Sequence, residues 1–170
     1  MLPDKRIAPI VANSAKGKYA AVALDSINQG VGMTHELQIP EGFKHYSGVS
    51  PAEDNVGPFY YRKDSDGLRV GFRVGEKHCN GMGALHGGVL LCFGDYAATM
   101  FALSGVKENC LTISFNADFM AAVKDGEWLE ATGEVVKRTG SLSFVRGQLH
   151  VEDRQVLVFQ AVMRRLKKPD

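Results

Sequence analysis

The chain has 170 residues, enough for one domain with a sizeable hydrophobic core and too few for two ordinary domains. Its 20 lysines and arginines balance 19 aspartates and glutamates, so the overall charge gives no reason to expect binding to nucleic acid or to an anionic membrane. The three cysteines lack CxxC spacing and the opening residues lack the apolar core of a signal peptide, so we predict a reduced, cytoplasmic protein.

Residues 1–57 are less regular than the residues that follow them. The stretch KGKYAAVALDSINQGVG is compatible with a short helix that ends near Gly30, and the stretch from Ile39 to Pro58 is rich in turn-forming residues. We therefore predict an N-terminal extension over residues 1–57 that packs on a core domain formed by residues 58–168.

Two extended segments run from Phe59 to Val74, around the turn-forming residues Asp64–Gly67. In the second segment, apolar residues alternate with Arg69, Gly71 and Arg73, which is the period of a half-buried strand. This pattern predicts a β-hairpin.

An apolar stretch, Val89–Leu103, comes next and contains a single acid, Asp95. It is shorter than the roughly 20 apolar residues that a membrane span needs, so it predicts a buried helix and no membrane span. The sequence His86-Gly87-Gly88 lies where this helix is expected to begin.

Four more segments with strand character follow the helix. In the first, CLTISFNADFM, apolar and polar residues alternate, which predicts one buried face formed by Ile113, Phe115, Ala117 and Phe119. Short links between the later segments favour an antiparallel meander. The order of hairpin, long apolar helix and strands predicts an α+β protein with a single hotdog fold. In this fold a curved antiparallel sheet is wrapped around one long central helix, with the N-terminal segment as an addition.

The candidate chemistry centres on Asp95 and on the glycines at the start of the helix. Burying an ionised carboxylate in apolar surroundings costs free energy unless the carboxylate is paired, so a buried Asp95 would need a partner or a function. The alternative is that Asp95 faces solvent or caps a neighbouring loop. The first N–H groups of a helix have no partner within it. Gly87 and Gly88 are therefore candidates to bind a carbonyl oxygen and stabilise an oxyanion, or they only form a tight turn.

The spacing along the helix decides how these groups can meet. Asp95 lies eight residues after Gly87, and at about 1.5 Å rise per residue the two are roughly 12 Å apart, too far to touch one carbonyl carbon. Two copies related by a twofold axis could place Asp95 of one chain beside Gly87 of the other. This chemistry predicts a homodimer with shared active sites, and a dimer of dimers is compatible with the same pattern.

The residues around this helix resemble a known family. The pattern N-x-x-G-x-x-H-G-G, followed by six residues and D, is similar to the signature of the PaaI-type hotdog-fold acyl-CoA thioesterases; the matching residues are Asn80, Gly83, His86, Gly87, Gly88 and Asp95. The similarity extends from about Gly57 to Leu166, and residues 1–56 lie largely outside it. The resemblance implies hydrolysis of acyl-CoA to a free acid and coenzyme A, with no cofactor other than the coenzyme A of the substrate.

The resemblance also implies a role for each residue. Asp95 activates a water or attacks the thioester carbonyl directly, while the Gly87 N–H of the partner chain polarises that carbonyl. Asn80 orients the thioester or the water, and His86 positions the loop and assists near the leaving sulfur. Thr112 stands where the family often has a small hydroxyl residue that supports the water.

Coenzyme A is anionic, so its phosphates need cations or backbone N–H groups. Lys137, Arg138 and Thr139, at the turn before GSLSFV, are a candidate binding patch because related enzymes often bind the nucleotide around this turn. The same residues are equally compatible with a solvated turn. The basic residues of RRLKKPD are better explained as a charged, exposed end.

Other site chemistries fit the sequence less well. A metal site at His78, Cys79 and His86 lacks a fourth ligand at a familiar spacing, so we predict no metal. Cys92 lies six residues after His86, on a different helix face, so the two do not form a nucleophile–base pair.

Two alternative functions share the hotdog fold. A non-catalytic acyl-CoA sensor would not need a base beside the carbonyl, which argues against a sensor here. Hydratases and dehydratases usually have a different arrangement of acid and histidine, which this sequence does not show.

Overall fold

The computed structural model describes residues 38–48 and 50–166. These residues contain two α-helices, α1 at Pro51–Val56 and α2 at Gly87–Leu103. Six strands form one sheet: β1 (Phe59–Asp64), β2 (Gly67–Arg73), β3 (Asn109–Phe119), β4 (Trp128–Arg138), β5 (Leu142–Val151) and β6 (Arg154–Leu166).

Two predictions concern the first part of the chain. The helix predicted before Gly30 lies outside the described residues, and the division of the chain at residue 57 stays a prediction. Neither of the two described helices is long and apolar enough to cross a membrane.

The β1–β2 hairpin confirms the prediction made from the alternation of side chains. The strands pair from Phe59 opposite Phe72 to Asp64 opposite Gly67. Local chemistry closes the turn, because the Asp64 carboxylate accepts a hydrogen bond from the Asp66 N–H at 3.0 Å. Gly67 adopts φ 115°, a conformation in which a side chain would be strained.

The sheet is antiparallel throughout, in the order β1-β2-β4-β5-β6-β3. The predicted meander is right for β4, β5 and β6 but wrong for β3, which pairs with β6. The physical reason is that both sides of β4 are occupied, one by β2 and the other by β5. β3 is consequently an edge strand.

Helix α2 packs across one face of the curved sheet. Its buried side is a stripe of apolar residues: Leu90, Phe93, Gly94, Ala97, Ala98, Phe101 and Ala102. The predicted hotdog fold, a curved antiparallel sheet wrapped around one long helix, is confirmed. One side of the helix stays open, because Leu91 is 37% exposed, Gly88 is exposed and Asp95 is half-buried. The sheet covers one side of the helix only, and Asp95 lies on the other side.

A β-bulge in β3 interrupts the predicted alternation. The register with β6 shifts after Thr112, so Ile113 becomes the extra residue and is 59% exposed. The prediction that Ile113 faces the core is therefore wrong. Phe115 does face the helix, since a Cβ at Gly94 would lie 3.0 Å from its ring. The bulge thus allows Thr112 before it and Phe115 after it to face α2 together.

Strand β6 carries one of the basic residues that the sequence assigns to an exposed end. The Arg165 side chain is only 9% exposed, and its guanidinium pairs with the Glu108 carboxylate at 3.0 Å and donates to the Thr139 carbonyl. The predicted exposed end is therefore wrong for Arg165, because β6 continues through Leu166.

Candidate functional site

Asp95 lies on the exposed side of α2 and faces β3. Its carboxylate accepts a hydrogen bond from the Thr112 hydroxyl, with 2.7 Å between the two oxygens. A charge-assisted hydrogen bond of this length fixes the direction of the carboxylate. The structure thus brings together two predicted site residues, and the bulge in β3 turns Thr112 toward the helix.

His86 is the N-cap residue of α2. Its Nδ1 atom accepts a hydrogen bond from the Gly88 N–H at 2.9 Å, and its backbone N–H donates to the His78 carbonyl at 2.9 Å. Because Nδ1 is the acceptor, the neutral ring carries its proton on Nε2. His86 therefore fixes the loop at the start of the helix and uses the Gly88 N–H in doing so.

The Gly87 N–H is an available donor at the same helix end. No acceptor in residues 38–48 and 50–166 pairs with it, as expected for the first residue of a helix. A Cβ at Gly87 would lie 3.4 Å from the Phe119 ring. Phe119 is 54% exposed, so its predicted burial is wrong, because it lies at the exposed beginning of α2.

Gly87 and Asp95 stay apart within one chain. They are eight residues apart on one continuous helix, and the helical rise separates them by roughly 12 Å. A single chain therefore holds the predicted donor and the predicted acid, but it does not bring them to one substrate atom.

Asn80 organises the loop that precedes His86. Its side-chain oxygen accepts hydrogen bonds from the Met82 N–H at 2.9 Å and the Ala84 N–H at 3.3 Å. Gly83 in this loop adopts φ 74°, which favours glycine. The side-chain oxygen of Asn80 is therefore occupied within the loop, and its NH₂ group is the part that can contact a ligand.

The predicted nucleotide-binding residues lie at the β4–β5 turn, beside the C-terminal end of α2. The Arg138 guanidinium donates to the Ala102 carbonyl at 2.9 Å, where a cation also compensates the helix dipole. The Thr139 hydroxyl accepts from the Leu142 N–H at 3.0 Å and closes the turn. All three residues are exposed, but Arg138 and Thr139 have structural contacts of their own. Lys137 is therefore the better candidate for a cation that contacts a ligand.

Glu53 is a second carboxylate near Asp95, and the sequence analysis missed it. Helix α1 packs against α2, and Glu53 is half-buried there. Burial raises the pKa of Glu53, a hydrogen bond with the Ser50 side chain opposes this rise, and the negative charges of Asp54 and Asp95 add to it. Pro51 at the start of α1 is a helix-start signal, but no sequence signal indicates which element α1 packs against.

Tyr96 and Cys92 are ionisable residues of α2 that lie near Glu53. Burial raises the pKa of Tyr96 to about 12, with a further contribution from the charge of Glu53. Burial also raises the pKa of the Cys92 thiol, and the charges of Asp95 and Glu53 add to this effect. Cys92 is therefore a neutral thiol near pH 7 and a poor nucleophile.

The histidine and cysteine residues weighed as metal ligands have other surroundings. His78 is buried, its Nδ1 atom accepts a hydrogen bond from the Gly75 N–H at 2.8 Å, and its ring packs on Phe72 with 4.7 Å between centroids. In the described part of the chain, no group of three or more His, Cys, Asp or Glu residues is arranged to hold a metal ion.

Comparison with known proteins places this arrangement in a family. Residues 82–158 match the pattern of the thioesterase superfamily. The chain is 34% identical over 124 residues to a Pseudomonas aeruginosa protein named "Putative esterase PA0474", a match that covers 71% of this chain and 92% of that protein.

Solved structures share the fold. A hypothetical thioesterase from Streptococcus pneumoniae TIGR4, solved with coenzyme A, has a TM-score of 0.60 at 21% identity, covering 66% of this chain and 88% of that chain. A phenylacetic acid degradation-related protein from Ralstonia eutropha JMP134 has a TM-score of 0.61 at 20% identity, covering 68% and 90% of the two chains. With its hotdog fold and its match over the central helix and strands, the chain belongs to the thioesterase superfamily.

Proposed function

We propose that this protein hydrolyses acyl-CoA thioesters at a site formed by Asp95 of one chain and the Gly87 N–H of a second copy. The observation that carries the proposal is the Asp95 carboxylate, which Thr112 holds at 2.7 Å on the exposed side of α2. The thioesterase family and the coenzyme A bound to the related Streptococcus pneumoniae structure support a CoA thioester as the substrate.

The proposed reaction follows from the charges at the site. A water beside Asp95 gives a proton to the carboxylate while its oxygen forms a bond to the thioester carbonyl carbon. The Gly87 N–H donates to the carbonyl oxygen, which becomes negative. The C–S bond then breaks, the proton passes to the leaving thiolate, and the products are a free acid and coenzyme A. Direct attack by Asp95, followed by hydrolysis of the anhydride, uses the same residues.

The remaining predicted residues have supporting tasks in this proposal. The Asn80 NH₂ group orients the thioester or the water. His86 Nδ1 accepts the hydrogen bond from the Gly88 N–H, so the Nε2–H lies on the opposite side of the ring. Lys137 supplies a cation for the coenzyme A phosphates near the turn that Arg138 and Thr139 build. These carboxylate, amide and backbone groups suffice for the reaction, so it calls for no cofactor beyond the coenzyme A of the substrate.

A homodimer completes the proposed site. Edge strand β3 exposes Leu111 and Ile113, which are 57% and 59% exposed, and the adjacent side of α2 exposes Leu91. An edge strand with exposed apolar side chains favours pairing with another chain. A twofold axis beside β3 would make the two α2 helices antiparallel, which brings Gly87 of one copy toward Asp95 of the other.

The test of this function is a substitution of Asp95 with a matched control. We expect Asp95→Asn to lower kcat for acyl-CoA hydrolysis by about 10²- to 10⁴-fold, because the amide cannot accept the proton of water. Asp118→Asn removes an acid from the same edge strand β3, at an exposed position, and should leave kcat unchanged. Release of free thiol from short, long and aryl acyl-CoAs measures the activity. Unchanged turnover in Asp95→Asn would disprove the mechanism.

A further inference from the structure

The turn between β4 and β5 is fixed by Arg165 of strand β6. The two terminal nitrogens of the Arg165 guanidinium contact different elements, because one pairs with the Glu108 carboxylate at 3.0 Å and the other donates to the Thr139 carbonyl. The Arg165 backbone N–H also donates to the Ser141 carbonyl, at 2.8 Å. The Arg165 side chain is only 9% exposed, so its planar guanidinium links the turn to the residue before β3 through a buried contact of fixed geometry.

These contacts decide the direction of the Gly140 N–H. The Thr139–Gly140 peptide bond is trans, so its carbonyl and its N–H point in opposite directions. Because the Thr139 carbonyl points to Arg165, the Gly140 N–H points away from Arg165. Among the described residues no acceptor pairs with this N–H, and a Cβ at Gly140 would meet nothing within 4 Å. The Gly140 N–H is therefore a donor that an anion can reach.

The turn lies at the same end of the sheet as Asp95. Leu142, which follows the turn, pairs with Arg164 of β6, and Arg164 pairs with Leu111 of β3. Two strand spacings, roughly 10 Å, therefore separate the start of β5 from the residue before Thr112. The Thr112 hydroxyl in turn donates to Asp95. A substrate with its thioester at Asp95 and its phosphates at the far end of a flexible arm can thus place those phosphates at the turn.

We propose that Arg165 is a positioning residue for the nucleotide end of acyl-CoA, because it directs the Gly140 N–H toward the phosphates of the substrate. The inference rests on the proposed hydrolysis of acyl-CoA at Asp95. Both terminal nitrogens of Arg165 are already paired, so Arg165 acts through the turn and not by contact with the substrate. Lys137 supplies the phosphates with a positive charge, whereas Gly140 supplies a hydrogen bond of fixed direction.

The test compares two substrates that share an acyl group. Butyryl-CoA carries the phosphates, and butyryl-pantetheine ends before them. In Arg165→Gln we expect KM for butyryl-CoA to rise about tenfold with kcat little changed, which is the size expected for the loss of one charge-assisted hydrogen bond. KM for butyryl-pantetheine should stay within about twofold of the wild type. Arg164→Gln removes the same charge from the exposed neighbouring residue and should leave both KM values within about twofold.

Turnover of butyryl-pantetheine by Arg165→Gln shows that the variant is folded and has an intact thioester site. An unchanged KM for butyryl-CoA in this variant would overturn the inference, and so would an equal rise for both substrates or an equal rise in Arg164→Gln. If Arg165→Gln does not fold, Arg165→Lys takes its place, since lysine keeps the charge but has a single nitrogen in place of the guanidinium fork. KM should then rise for butyryl-CoA only, and unchanged values for both substrates would overturn the inference.

A binding measurement separates this inference from the proposed hydrolysis. If the wild-type protein hydrolyses no acyl-CoA, the proposed function fails, and calorimetry with coenzyme A tests Arg165 alone. Binding that is about tenfold weaker in Arg165→Gln than in the wild type, and unchanged in Arg164→Gln, supports the role of Arg165. Equal binding by the wild type and Arg165→Gln, an equal loss in Arg164→Gln, or failure of coenzyme A to bind the wild type overturns it.

Discussion

At the residue scale, Thr112 holds the Asp95 carboxylate through one hydroxyl. Thr112→Val keeps the shape of the side chain and removes the hydroxyl, whereas Thr112→Ser keeps the hydroxyl and removes a methyl group. A hydrogen bond to a charged group is worth about 1.5–3 kcal/mol, so kcat/KM for acyl-CoA should fall by roughly ten- to a hundredfold in Thr112→Val. We expect a loss below about threefold in Thr112→Ser. Rates of thiol release measure the effect, and thermal unfolding controls for folding. Equal losses in both variants would show that the hydroxyl does not position Asp95.

The sequence identifies Thr112 and Asp95 as site residues, but it does not predict the face of β3 on which Thr112 lies. A hydroxyl early in the strand after the helix is visible in the sequence, but alternation alone puts Thr112 on the face opposite Phe115. The bulge at Ile113 reverses that phase, and it depends on the pairing of β3 with β6, which are distant in sequence. Glu53 was missed for a related reason, since the packing of a short helix depends on residues far away in the chain.

At the element scale, the C-terminal end of α2 is stabilised from strand β4. The Arg138 guanidinium donates to the Ala102 carbonyl at 2.9 Å, so Arg138→Gln should lower the free energy of unfolding by about 1 kcal/mol. Lys137→Gln removes the same charge from an exposed neighbour and should change stability by less than about 0.5 kcal/mol.

Urea unfolding measures these stabilities, and calorimetry with coenzyme A measures binding by the same two variants. We expect Lys137→Gln to weaken binding of coenzyme A while Arg138→Gln acts mainly on stability. The reverse pattern would assign the nucleotide contact to Arg138 and contradict its role at the end of the helix.

The elements themselves were predictable where the signals are local. The hairpin and α2 appear at the predicted places because side-chain periodicity, turn residues and the glycines after His86 all act over a few residues. The position of β3 at the edge of the sheet was not predictable in the same way. The position of β3 depends on which strands pair with each side of β4. This pairing involves residues that are distant in sequence, so no short stretch of sequence predicts it.

At the scale of the whole molecule, the proposed site needs a variant that removes the Gly87 N–H and leaves the start of α2 folded. Gly87→Pro does this, because Gly87 is the first residue of α2, where proline is well tolerated. The preceding residue, His86, has φ −64° and ψ 132°, a conformation that residues before proline favour. The new Cβ would lie 3.4 Å from the Phe119 ring, an ordinary contact distance. We therefore expect Gly87→Pro to fold and to lose most of its acyl-CoA hydrolysis.

Mixing two inactive variants then tests whether the site is shared between chains. In a heterodimer of Asp95→Asn with Gly87→Pro, one site contains both substitutions and the other site contains neither, because each site takes Asp95 from one chain and Gly87 from its partner. Random exchange of subunits makes half of the dimers mixed, so the recovered activity should approach about one quarter of the wild-type value. Thiol release before and after joint denaturation and refolding measures it, with each variant refolded alone as the control. If both residues acted within one chain, every chain in the mixture would keep its own defect and no activity would return.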